Sequence, residues 1–232
     1  MAASRSGALS NILSTEKSIL AQKAEKGKNL FPGDLVYAME MVETTMNIRS
    51  IPFQELVRNR RSVRRYLDKP VEREKILACL ESARLAPSAE NVQPWRFLVI
   101  DDPEVKRRFA AAAFSGIYSF SRFAAKAPVL IVILARPDLL ANQIGKHIQN
   151  ISFYLIDVGI AGEHLALQAE ELGLGTCWIG WFNARQTRKF FHIPRPFKIV
   201  SMMALGYPEA RPPREKNRKT LAEIAWFNRL DK

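Results

Sequence analysis

Cysteine and histidine are scarce in this sequence: Cys79 and Cys177, with His147, His164 and His192, in 232 residues. Two cysteines, both in segments whose pattern buries them, give no disulfide framework and point to a reducing compartment. The histidines never fall with cysteine or acid at metal-ligand spacing, so no metal site is expected. Long apolar runs are missing too. The longest, Ala127 to Ala135, is far short of the ~20 residues a membrane-spanning helix needs, and it reads as a strand buried on both faces. The N-terminus has no apolar core of the kind a secretion signal requires, and Glu16 and Glu25 argue against a transit peptide. A cytoplasmic protein is the expectation. A GxGxxG fingerprint, a Walker lysine, a zinc finger and an RNA-recognition strand are all absent.

What is present is a globular composition, 47% hydrophobic and 25% charged, in a chain long enough to bury a sizeable core. Basic residues outnumber acidic ones by 35 to 23, a net charge of +12. Such an excess attracts anions in general: phosphorylated cofactors, nucleic acid or anionic lipid. No motif for nucleic acid accompanies the charge.

Residues 1–50 read as an arm of two amphipathic helices, the second carrying Leu35, Ala38, Met39 and Val42 at helical spacing. Neither helix can bury its stripe alone, so the arm is expected to lie on the main body or on a partner. The body, residues 51–232, opens with a short helix over Phe53 to Asn59. A helix from Glu72 to Leu85 follows, with Ile76, Leu77, Leu80 and Ala83 on one face. Strands are expected at Arg96 to Ile100, Val129 to Leu134, Thr176 to Ile179 and Lys198 to Leu205. Between them lie helices from Asp102-Pro103 to Phe114 and from Ala184 to Phe191, and the longest from Ile148 to Leu172. Along that longest helix Ile151, Leu155, Val158, Leu165, Ala169 and Leu172 form an apolar face. Gly159, Ala161, Gly162 and Ala166 leave room for a close neighbour, either within the chain or in a second subunit. Strands and helices mix without strict alternation, which favours an α+β fold.

Four stretches could carry chemistry. Arg60-Arg61-Ser62-Val63-Arg64-Arg65 offers charged forks and a hydroxyl, which suits a phosphate monoester; a solvated basic face is the alternative. Pro87-Ser88-Ala89-Glu90-Asn91-Val92-Gln93-Pro94-Trp95 is either a polar loop facing the heteroatoms of a ring or a plain connection. Trp95 reads as core or as site. Glycines around Thr176 to Ile179 let backbone amides approach a flat ligand, or merely cap a helix that feeds a core strand. Lys216-Asn217-Arg218-Lys219 alone is a solvated charge run.

Taken in order, Arg-Arg-Ser-x-Arg, Pro-Ser-x-x-Asn-x-Gln-Pro-Trp, Gly-Leu-Gly-Thr-Cys-Trp-Ile-Gly, Leu-Gly-Tyr-Pro and Lys-x-Arg resemble the nitroreductase family over residues 51 to 228. The resemblance implies a mixed, mainly antiparallel sheet flanked by helices, in an intertwined homodimer that holds FMN between subunits. It assigns Arg60, Arg61 and Ser62 to the phosphate and ribityl end of the cofactor, and Arg64 to the N1/O2 side of its ring. Pro87, Ser88 and Asn91 match a loop given by the other subunit, Ile179 and Gly180 a segment near the flavin N5 edge, and Lys216 and Arg218 a late phosphate-binding pair. The tail after Leu221 would reach across to the partner. The implied activity is hydride transfer from NAD(P)H through the flavin to an organic acceptor such as a nitroaromatic or quinone, with ping-pong kinetics. No side chain is assigned as nucleophile. The segments Phe114 to Lys126 and Asn142 to His147 would border the acceptor. A reductive deiodinase, a flavin-dependent dehydrogenase, or a non-catalytic flavin- or nucleic-acid-binding protein are the competing readings.

Overall fold

Short-range capping and apolar spacing place most helices where the sequence puts them. The computed structural model describes residues 51–137, 151–210 and 216–230. The expected N-terminal helices, the stretch Asn142 to His147 and the first turn proposed for the longest helix lie outside the described residues.

Helix α1 (Phe53–Asn59) starts at Pro52, whose carbonyl accepts from the Glu55 and Leu56 amides, and it buries Leu56. Helix α2 (Arg73–Arg84) buries Ile76, Cys79 and Ala83. Its stripe is therefore turned toward Cys79, with Leu80 packed at its margin and Leu77 not fully covered. In α3 (Pro103–Ala113) the Asp102 carboxylate accepts from the Val105 amide at 2.7 Å, and Pro103 takes the first helical position, where its missing N–H costs nothing. Helix α4 (Phe153–Glu171) begins later than its periodicity suggests: Ile151 and Ser152 precede it in extended or irregular backbone. Helix α5 (Ala184–Phe190) is capped by the Asn183 side chain, which accepts from the Gln186 amide.

Strands β1 (Trp95–Ile100), β2 (Val129–Ala135), β3 (Gly175–Ile179) and β4 (Lys198–Gly206) form one sheet in the order β1-β2-β4-β3. Each pairing is antiparallel. Every residue of β2 is buried, as its unbroken apolar run requires of an interior strand. Its side chains divide between two layers with period two. Ile131 and Ile133 pack with Ile76, Val158, Leu165 and Met203 beneath α2 and α4. Leu130 and Val132 pack with Phe109, Ala124, Ile193 and Met202 on the side of α3 and α5. Trp95 is 5% exposed and belongs to the first layer, so it is core.

The small residues of α4 serve two purposes. A Cβ on Gly162 would sit 2.2 Å from the Trp178 ring, so here the helix packs on its own sheet. Nothing lies within 4 Å of the same position on Gly159, and Ile151, Leu155 and Ile156 stay exposed. Among the described residues, the apolar face of this helix is thus only partly covered. No helix among the described residues is long and apolar enough to cross a membrane.

Candidate functional site

The run after α1 adds itself to the edge of the sheet. Ser62 bridges Thr176 of β3 in parallel, the Val63 amide donates to the Thr176 carbonyl at 2.8 Å, and Tyr66 bridges Pro208. The Leu67 amide donates to the Tyr207 carbonyl at 2.9 Å, and the Tyr66 hydroxyl to the Val63 carbonyl at 2.6 Å. Extended backbone alternates its side chains. Val63 accordingly goes into the core while Ser62 and Arg64 face out; Tyr66, three residues on, is buried in the same layer, so the alternation breaks between Arg64 and Tyr66. The approach is close because residue 175 is glycine: a Cβ there would lie 2.4 Å from Val63 Cγ2. Gly175→Ala should therefore destabilise the protein by about 1–3 kcal/mol, as overpacking does. Chemical denaturation should show the double variant Gly175→Ala/Val63→Ala losing less than the sum of the two single losses. Strict additivity would mean that this contact does not set the spacing.

Docking the run on β3 gathers the charges. Arg60 Nε pairs with Glu163 of α4 at 3.2 Å. Lys216, from the far end of the chain, donates from Nζ to the Val57 carbonyl of α1 at 2.7 Å. Its ammonium is pushed below the ordinary lysine range by loss of water, then by Arg60, Arg218 and Arg61 nearby. Burial raises the carboxyl of Glu170 against the pull of Arg60, Lys216 and Arg61. So Arg60, Arg61, Lys216 and Arg218 lie within electrostatic reach of one another at this edge. Within the chain, Glu163 and Glu170 offset part of this positive charge.

Beside this cluster the site turns less polar. The Cys177 thiol donates to the Trp178 carbonyl at 3.5 Å, and burial raises it against the opposing influence of Arg64, Ser62 and Arg60. A raised thiol pKa works against the thiolate that a nucleophile needs. The Arg64 guanidinium lies 5.9 Å from the centre of the Phe123 ring. At the end of β3, Ile179 is buried and Gly180 exposed. The next residue, Trp181, is 55% exposed yet held: its indole N–H donates to the Ile117 carbonyl at 2.9 Å and its ring lies 5.5 Å from that of Tyr118. These partners sit on a 3-10 segment, Gly116–Lys126, where Ile117 and Phe120 are exposed. That segment thus borders the Gly180 end of the site.

The loop with Pro87, Ser88 and Asn91 sits elsewhere in the chain. Its Ala89 amide donates to buried Asp157 of α4 at 3.1 Å, and the Gln93 amide donates to the Ser88 hydroxyl at 2.9 Å. Glu90, Asn91 and Gln93 all adopt left-handed backbone (φ 52°, 54° and 47°), a strain that is held in place by these contacts. The end of the loop is joined to the sheet: Arg96 of β1 donates to the Gln93 carbonyl at 3.0 Å, and the Arg136 amide to the Pro94 carbonyl at 2.7 Å. Among the described residues no group of histidine, cysteine and acid could hold a metal.

Sequence reasoning missed Glu163, Glu170 and Trp181. The two glutamates sit two helical turns apart on a mostly apolar helix, and that i, i+7 pair was the available signal. Trp181 carried none beyond adjacency to Gly180.

Comparison with known proteins identifies the family. The family model described as Nitroreductase family matches residues 57–122 and 118–207. The chain is 30% identical to a Thermus thermophilus NADH dehydrogenase over 64% of this chain and 83% of that one. A nitroreductase family protein of Clostridium difficile 630 superposes with a TM-score of 0.64 at 30% identity, covering 78% of this chain and all (100%) of the other. An FMN-dependent nitroreductase of Clostridium difficile gives 0.60 at 28% identity, covering 75% and 98%.

Proposed function

Because the chain belongs to the nitroreductase family, we propose that it is an FMN-dependent oxidoreductase carrying hydride from NAD(P)H to an organic acceptor such as a nitroaromatic or quinone. The observation that carries this reading is the gathering of cations at the β3 edge: the run with Ser62 docks on Thr176, Arg60 in that run pairs with Glu163, and Lys216 is bonded to the Val57 carbonyl of the preceding helix, with Arg61 and Arg218 acting on it. When bound, FMN supplies the hydride chemistry itself. The protein's share is binding and electrostatics. The first four cations hold the phosphate, and Ser62 adds a hydroxyl close by. Arg64 places a positive charge at the N1/O2 side of the ring. Gly180 leaves its backbone amide reachable at the N5 side, and Trp181 and the Gly116–Lys126 segment shield that end from water.

Pro87, Ser88 and Asn91 act, in this reading, on the cofactor of a second copy. Two features support a homodimer: the loop is tied to Asp157 of α4, and the residues Ile151, Leu155, Ile156, Leu221, Trp226 and Phe227 expose apolar surface. A body at 51–232 preceded by an arm at 1–50, in the cytoplasm, completes the proposal.

The purified protein is expected to be yellow, with oxidised-flavin absorbance that bleaches when NADPH or NADH is added. Protein that stays colourless after reconstitution with FMN would refute the reading, and bound flavin that neither nicotinamide bleaches would leave a flavin-holding protein instead. Arg64→Ala should weaken FMN affinity by about 1.5–3 kcal/mol, the value of a charge-assisted hydrogen bond. Fluorescence titration checks this, and unchanged affinity removes Arg64 from the site.

A further inference from the structure

The buried face of α4 runs through Val158, Ala161, Leu165, Ala166 and Ala169, and at its start stands an acid, Asp157. Burying a carboxyl group is costly, and packing alone does not require it. Asp157 is 5% exposed, and its Oδ1 accepts from the Ala89 amide at 3.1 Å. Ala89 opens a turn in which Glu90 and Asn91, and just after it Gln93, hold left-handed backbone. Such backbone persists only where its surroundings over-determine it. On the sheet side the loop is fixed by the Arg96 side chain and the Arg136 amide, which donate to the Gln93 and Pro94 carbonyls. On the helix side it is fixed by Asp157. Between these anchors the Gln93 amide donates to the Ser88 hydroxyl, and the Gln93 side chain donates to Asn91 Oδ1 at 3.0 Å. That bond uses the oxygen of the Asn91 side chain, so the group left to present is its NH2, a donor suited to a ring carbonyl. Pro87, Glu90 and Asn91 are exposed. Six residues after Asp157 the same helix reaches the cation cluster, where Glu163 pairs with Arg60 at 3.2 Å. At 1.5 Å per residue the two anchors stand about 9 Å apart along one helix axis.

We propose that Asp157 is a positioning residue for flavin binding: through the Ala89 amide it fixes the loop by which one chain completes the flavin site of a second copy. The inference rests on the flavin reading above and on the loop acting across a dimer. Asp157 acts through the loop and not on the cofactor. Because Asp157 and Glu163 share one helix, the loop of each chain is held at a set spacing from that chain's own cations. The loop meets the ring and the cations meet the phosphate, so the two anchors govern different parts of the ligand.

The test is the affinity of wild type and Asp157→Ala for FMN and for riboflavin, read by quenching of flavin fluorescence on dimers isolated by gel filtration. Asp157→Ala is expected to weaken both flavins by the same factor, about tenfold. Loosening of the cation cluster would instead move FMN alone. Asp157→Asn keeps an acceptor oxygen and should stay within about threefold of wild type. Asp157→Leu, apolar and of similar size, replaces the alanine variant if that one fails to fold. Mixed dimers give a second readout. One chain carries Asp157→Ala, the other carries Arg60→Ala with Lys216→Ala, and separate affinity tags isolate the pair. The cations of the first and the loop of the second then make one intact site, so one flavin per mixed dimer is expected at wild-type affinity. Unchanged affinity in Asp157→Ala, equal losses in the alanine and asparagine variants, a loss confined to FMN, or mixed dimers without a site of wild-type affinity would each overturn the proposal. Hydrogen exchange at the Ala89 amide, measured without flavin, separates the two levels of inference. If wild type binds neither flavin, faster exchange in Asp157→Ala keeps the hold on the loop and loses the flavin reading, and unchanged exchange removes both.

Discussion

A variant carrying both Arg60→Ala and Lys216→Ala loses FMN on dialysis, its affinity lowered by about 3–6 kcal/mol if each cation makes one charge-assisted hydrogen bond to the phosphate. The two residues come from opposite ends of the described fold yet share one place. Arg60 is fixed by the edge run against β3, and Lys216 by its bond to the Val57 carbonyl. They share Glu170 as a neighbour, so their effects should not be additive. A double-mutant cycle on FMN affinity measures the coupling. Part of any stability change comes from losing the Lys216–Val57 bond, and a melting curve of the flavin-free protein separates that part. Affinity for riboflavin should barely move, because it carries no phosphate. Equal losses for FMN and riboflavin would mean that these cations read the ring or merely support the fold.

Phe109→Ala should destabilise the protein by about 3–5 kcal/mol, the usual cost of emptying an aromatic core position. Phe109 is fully buried on α3, and its ring centre lies 4.8 Å from that of Phe191 and 5.6 Å from that of Phe190. This aromatic group joins α3 to α5 beneath the sheet, on the same layer as Val63 and Tyr66. Truncation leaves a cavity that the antiparallel sheet cannot close by moving, since β2 is locked between β1 and β4. Urea denaturation measures the loss. A change below about 1 kcal/mol would show that the layer collapses around the missing ring and that its packing is loose.

The pattern of the fold was readable along the chain because its signals are local. Asp102-Pro103 caps α3 by a contact only three residues long, and the run Val129 to Ala135 needs no partner to announce an interior strand. Gly173 ends the longest helix in left-handed backbone (φ 72°), as its lack of a side chain allows. The start of that helix was not readable: apolar periodicity continues through Ile151, but the helical backbone begins only at Phe153. In α2 the helical spacing from Ile76 runs through Cys79, Leu80 and Ala83, so the buried face was legible there; Leu77, nearly opposite Cys79 on the helix, belongs to the expected face by its side chain rather than its spacing.

Sequence by itself therefore determined the element order, the interior strand and, through resemblance, the arginines and the late Lys-x-Arg as candidates. Only the tertiary structure decided that Lys216 reaches Arg60 across 156 residues of chain, and that Glu163 and Glu170 stand beside them. The physical reason is range. Caps, turns and periodic stripes are contacts between residues a few positions apart, whereas an electrostatic cluster is made of groups whose separation in sequence carries no information about their separation in space.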